Sequence, residues 1–116
     1  MGTAVLEVSG PDAARWAAEL RGALAAKAGP GDEVSPVEVR RSAELVIAVI
    51  GLVFGGVATA KTIWDWWHSR RPKNVSVTIL LSDGTRVKLS DVSSGELEIA
   101  FQQIESRQAE DGNHNG

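Results

Sequence analysis

The chain has no cysteine and no tyrosine, and only two histidines, His68 and His114. Without cysteine there are no disulfides, no thiolate zinc sites and no cysteine nucleophile, which agrees with a reducing compartment. Two histidines leave few parts for acid–base or metal chemistry, so the composition points away from an enzyme. Basic residues are also in the minority, with 12 Lys and Arg against 15 Asp and Glu and a net charge of −3. Affinity for phosphate backbones comes from clustered Lys and Arg, so no nucleic acid is expected as a partner. The first residues lack the basic and long apolar regions of a secretory signal, and Leu6 stands where a myristoylation pattern wants Ser or Thr. The expected location is the cytoplasm, extending to the inner face of the cytoplasmic membrane.

What is present suits one small domain: 116 residues, 43% of them hydrophobic. Residues 3–8 read as a strand closed by Ser9-Gly10-Pro11. Ala13, Trp16, Ala17, Leu20 and Leu24 then fall on one helical face, ended by Gly29-Pro30-Gly31. Residues 36–40 read as a second strand with Pro36 at its entry. Val75, Val77, Ile79 and Leu81 alternate with other residues, Asp83-Gly84 makes a tight turn, and Val87 and Leu89 alternate with Arg86 and Lys88, so 75–89 is a hairpin. Ser93 and Glu96 have capping-box spacing before a last helix that buries Leu97, Ala100, Phe101 and Ile104. The polar residues 105–116 have nothing to bury and are expected to be disordered.

Between these lies a stretch of sixteen uncharged residues, 45–60, followed by Trp64, Trp66 and Trp67 and the basic stop Arg70-Arg71-Pro72-Lys73. It reads as a long apolar helix over 42–71, bent where Gly51, Gly55 and Gly56 fall, because glycine costs about 1 kcal/mol against alanine in a helix. Tryptophans beside basic residues resemble a membrane-interface belt, and Gly51 and Gly55 have the spacing that lets apolar helices approach. A single crossing would leave only two strands on each side, which is marginal in water. Two readings stay open: a membrane-contacting segment, or a buried helix whose remaining face is covered by another protein. Either way the segment requires shielding from outside the subunit.

The chemical candidates are thin. Asp65, His68 and Ser69 are near in sequence, but neighbours at one helix end rarely provide the convergent geometry of a hydrolase. Asp83-Gly84 lacks the series of carboxylates of a calcium loop, and the glycines at 51, 55 and 56 follow no phosphate-loop pattern. Arg70, Arg71, Lys73, Arg86 and Lys88 are expected to converge into a basic patch for an acidic protein or an anionic lipid surface.

The arrangement resembles the effector-associated constant component family of bacterial conflict systems. The residues that carry the resemblance are Val5-Leu6-Glu7-Val8 with Trp16, the glycine-bearing stretch 44–56, Ile63-Trp64-Asp65-Trp66-Trp67 with Arg70-Arg71, and Val75-Ser76-Val77-Thr78-Ile79 followed by Asp83-Gly84-Thr85-Arg86-Val87. The resemblance implies a non-enzymatic adaptor encoded beside an effector, such as a caspase-like or trypsin-like peptidase, in a defence system. It brings no catalytic residues with it.

The expectation is therefore a single α+β domain over residues 1–104 in the order β-α-β-α-β-β-α. Its sheet is four-stranded and mixed, with a parallel first βαβ unit, and helices pack on one face, among them the long central one. Gly51, Phe54, Gly55, Gly56, Ile63, Trp64 and Trp67 are the candidates for assembly or membrane contact. Expected partners are an effector peptidase and further copies of the chain, with a membrane as an open case; no cofactor, metal or small-molecule substrate is expected. The rival function is a pore-like or membrane-perturbing effector that inserts residues 45–67.

Overall fold

A computed structural model describes residues 2–41 and 45–114, with side chains as far as Ile104. In chain order the elements are β1 (Gly2–Ser9), α1 (Ala13–Lys27), β2 (Glu33–Val34), β3 (Glu38–Arg41), β4 (Val46–Phe54), α2 (Ala58–Arg70), β5 (Ser76–Leu81), β6 (Arg86–Lys88) and α3 (Ser94–His114). A short 3-10 turn at Leu89–Asp91 joins β6 to α3. The polar tail expected over 105–116 falls where side chains lie outside the described residues.

The long apolar helix does not exist. Residues 46–54 are a nine-residue strand, Gly55 and Gly56 form a turn, and a helix starts only at Ala58. Val46, Ile47, Val49 and Ile50 are β-branched and suit a pleated strand better than a helix. Burial then alternates along β4, with Ala48, Ile50, Leu52 and Phe54 buried and the intervening residues half-exposed. The strand thus hides one side in its own core, and the demand for a shield around all of 45–60 disappears.

The sheet is corrected with it. Among the described residues there are six strands rather than four, in the order β2-β4-β1-β5-β6 with β3 also on β4. Every pairing is antiparallel, so the parallel first βαβ unit is absent. β1 lies between β4 and β5, which run in the same direction as each other and are joined through α2, a split β-α-β arrangement. The overall α+β class holds.

β2 and β3 share one edge of β4 with a one-residue slip. Val34 pairs with Leu52 and Glu38 with Val49, leaving an extra residue in the stretch around Pro36. Proline donates no hydrogen bond and is tolerated at such a bulge. The Ser35 hydroxyl fills the break by accepting from the Gly51 N–H at 2.7 Å, while the Ser35 N–H donates to the Gly51 carbonyl at 2.9 Å. Arg21 reaches across from α1 to donate through Nε to the Ser35 carbonyl at 2.8 Å.

All the helices lie over one face, where Leu6, Val8, Ile50, Phe54, Val77 and Ile79 meet Leu20 of α1, Ile63 of α2 and Leu97, Phe101 and Ile104 of α3. Phe54 and Phe101 have ring centroids 4.6 Å apart. The capping box of α3 forms as its spacing predicts: Glu96 N–H donates to Ser93 Oγ at 3.2 Å and Ser93 N–H to Glu96 Oε1 at 3.3 Å. In the β5–β6 hairpin Gly84 takes φ 91°, and its N–H donates to the Leu81 carbonyl at 2.9 Å.

Candidate functional site

Two surfaces stand out, one on each side of the molecule. The first is the end of α2. Its amphipathic pattern turns Ala60, Ile63 and Trp66 into the core, which leaves Trp64 and Trp67 half-exposed on the flank. Trp64 stacks on His68 with ring centroids 6.2 Å apart and planes 16° off parallel. Arg71 ends the helix in the left-handed region at φ 43°, its N–H donating to the Trp67 carbonyl at 2.9 Å and its Nε to the His68 carbonyl at 3.2 Å. Together Trp64, Trp67, His68, Arg71, Pro72 and Ser90 line an open hollow with aromatic walls and a guanidinium at its rim.

Trp66 faces the opposite way, edge-on to Trp16 of α1 at 6.2 Å between centroids. Beside them Glu19 and Arg70 form an ion pair that ties α1 to α2. The pair removes Arg70 from the hollow.

The second surface is the sheet face without helices. Opposite residues of an antiparallel pair point the same way, so the register defines its rows. One row carries Glu38, Val49, Glu7, Thr78 and Lys88; the next carries Gly51, Val5, Leu80 and Arg86. Ile47 and Val53 extend the apolar strip along β4, and Ile47, Val49, Val53, Val5 and Leu80 are all half-exposed. Gly51 has no side chain to fill its place, so Thr3, Val5, Glu33, Ser35 and Val53 surround a notch there.

The expected sites fare unevenly. Phe54 and Ile63 have no exposed surface and belong to the core. Gly51 lies on the open sheet face, Gly55 and Gly56 sit in the turn after β4, and Gly55 N–H donates to Asp32 Oδ1 at 3.0 Å. Only Trp64 and Trp67 of that group come together at a surface. The basic residues divide as well: Arg71 is at the hollow of α2, Arg70 is paired with Glu19, Lys73 is exposed in the following turn, and Arg86 and Lys88 lie on the open sheet face with Ser9, Ser76 and Thr78. Sequence reasoning missed the apolar strip on the open face. Its signal was apolar residues of both parities, as in Ile79-Leu80-Leu81 and Val5-Leu6.

The Asp65, His68 and Ser69 neighbours do not form a catalytic relay, since the Ser69 hydroxyl donates back to the Asp65 carbonyl at 2.7 Å and His68 lies against Trp64. No group of three or more metal-binding side chains is assembled among the described residues. No helix of the described residues is long and apolar enough to cross a membrane. That finding, with 46–54 in the sheet, overturns the rival reading in which an apolar helix over 45–67 inserts into lipid.

Against known proteins, residues 9–105 match a family model described as Effector Associated Constant Component 1. No curated protein and no solved structure matches the chain.

Proposed function

The chain belongs to the Effector Associated Constant Component 1 family, and from that premise we propose that it is a non-enzymatic accessory protein that seats an effector on the Trp64–Trp67 end of α2. The observation that carries the reading is the hollow itself, where two half-exposed tryptophans stand beside a guanidinium held by a backbone carbonyl. Tryptophan and arginine dominate the binding energy of protein interfaces, because a large rigid ring loses little entropy on burial and a fixed fork selects a carboxylate. The complementary segment is an apolar side chain next to an acidic one. The effector in this reading is a caspase-like or trypsin-like peptidase, met in the cytoplasm as part of a bacterial defence system. The accessory protein contributes position rather than chemistry.

The test uses the full chain and the effector encoded beside it. Arg71→Glu reverses the charge of an exposed residue, and Trp67→Ala removes half of the aromatic wall. Each is expected to weaken effector binding by about tenfold or more, or about 1.4 kcal/mol, measured by titration calorimetry. Circular dichroism and melting temperature check that each variant is folded. Unchanged affinity in a folded Arg71→Glu variant overturns the reading.

A further inference from the structure

The open sheet face has a pattern that makes it its own complement. We infer that it is the interface between two copies of this chain, packed sheet to sheet. The inference stands apart from effector docking, since the α2 hollow and this face share no residue.

The geometry follows from the register. In order across the face the strands are β3 with β2, then β4, β1, β5 and β6. Consider a two-fold axis between the two sheets, parallel to the strands and midway between β1 and β5. It keeps every row at its own height and lays β5 of one copy over β1 of the other, and β6 over β4. Val5 then meets the partner's Leu80, and Ser9 meets the partner's Ser76. Glu7 meets the partner's Thr78, a hydroxyl, instead of its own image. At the side, Arg86 enters the partner's Gly51 notch, which carries Glu33 at its rim and the Ser35 hydroxyl in its wall. The Lys88 stem lies over the partner's Val49 with its ammonium toward Glu38 of the same row, whose carboxylate it shares with Arg40 at 3.6 Å. Val5 thus meets an apolar side chain, Glu7 and Ser9 meet hydroxyls, and Arg86 and Lys88 each approach a carboxylate.

An axis perpendicular to the strands instead sets β6 over β6 and makes Arg86 and Lys88 repel their images. Charge therefore selects one orientation. Sheets packed face to face stay within about 30° of alignment at about 10 Å separation, which the chosen axis satisfies. About this axis four strands overlap, and at about 4.8 Å spacing and roughly 20 Å length they give about 400 Å² per copy, or on the order of 800 Å² in all, the size of a weak, reversible interface.

Sedimentation of the full chain from about 1 to about 100 µM tests the proposal. The expected result is a concentration-dependent species of twice the 12.3 kDa chain. Arg86→Glu is expected to weaken the dimer about tenfold or more, and Glu33→Arg in the same chain to restore it, because the exchanged charges face each other again across both symmetric contacts. Gly51→Ala is expected to weaken the dimer by partly filling the notch; a Cβ there meets only Ser35, its Oγ at 3.4 Å, so the fold accommodates it. Thermal melts at low concentration check folding of each variant. A chain of 12.3 kDa at every concentration, a dimer indifferent to Arg86→Glu, or failure of Glu33→Arg to restore it overturns the proposal. So does a monomer whose open face becomes protected only on adding the effector, which assigns the face to the effector.

Discussion

Asp32 closes two loops with one carboxylate. Its Oδ2 accepts from the Gly29 N–H at 2.9 Å and its Oδ1 from the Gly55 N–H at 3.0 Å, which joins the end of α1 to the turn between β4 and α2. Asp32→Ala hands both exposed donors to water and is expected to cost about 1 kcal/mol. In a domain of this size that lowers the melting temperature by roughly 4–8 °C per kcal/mol, and calorimetry reads it directly; a melt unchanged within error contradicts the pinning role. Gly10 is fixed by space at the opposite end. A Cβ on it would stand 2.4 Å from the Asn74 carbonyl oxygen, and its φ of 140° is a conformation that side chains disfavour. The cation at the α2 hollow is likewise placed by a backbone contact, Arg71 Nε to the His68 carbonyl at 3.2 Å.

At the scale of elements, β4 decides the fold, since it pairs with β1 on one side and with β2 and β3 on the other. Its nine amides are expected to be in the slowest class of hydrogen exchange, together with those of β1, because they open only with the whole sheet. Fast exchange across 46–54 contradicts the strand. The elements with a single period were legible: α1 from Ala13, Ala17, Leu20 and Leu24, the hairpin from its alternation around Asp83-Gly84, and α3 from Ser93, Glu96, Leu97, Phe101 and Ile104. β4 was not, because a strand covered on one face by helices and carrying an apolar strip on the other shows no alternation. The absence of charge over 45–60 then merged a strand, a turn and the start of a helix into one apparent element. Glycines read as helix bends are instead a notch in a strand, Gly51, and the turn that ends it, Gly55 and Gly56. The tryptophan end of α2 was legible because its basic stop and aromatic cluster are local. The division of the basic residues was not, because only the register shows that Arg86 and Lys88 line a different hollow from Arg71.

At the scale of the whole molecule, one layer of helices on one sheet produces two sides of different character. The helix side presents Trp64, Trp67 and Arg71; the sheet side presents an apolar strip between a basic edge at β6 and an edge of mixed charge at β2 and β3, where Glu33 and Glu38 stand with Arg40. In the two proposals made above, the first side seats an effector and the second a further copy of the chain. A dimer joined through the sheets holds two effector-docking hollows facing outward, which raises the local concentration of one bound effector around another.

Where an effector touches the chain distinguishes the two sides most directly. A photo-crosslinking amino acid placed at position 68, at the rim of the hollow, and separately at position 38, on the far sheet edge, reads this in the native cell by mass spectrometry of the adducts. An effector adduct from position 68 that is lost on adding Arg71→Glu, with none from position 38, is expected if the effector docks at the hollow. No effector adduct from position 68, or equal yields from both positions, contradicts it.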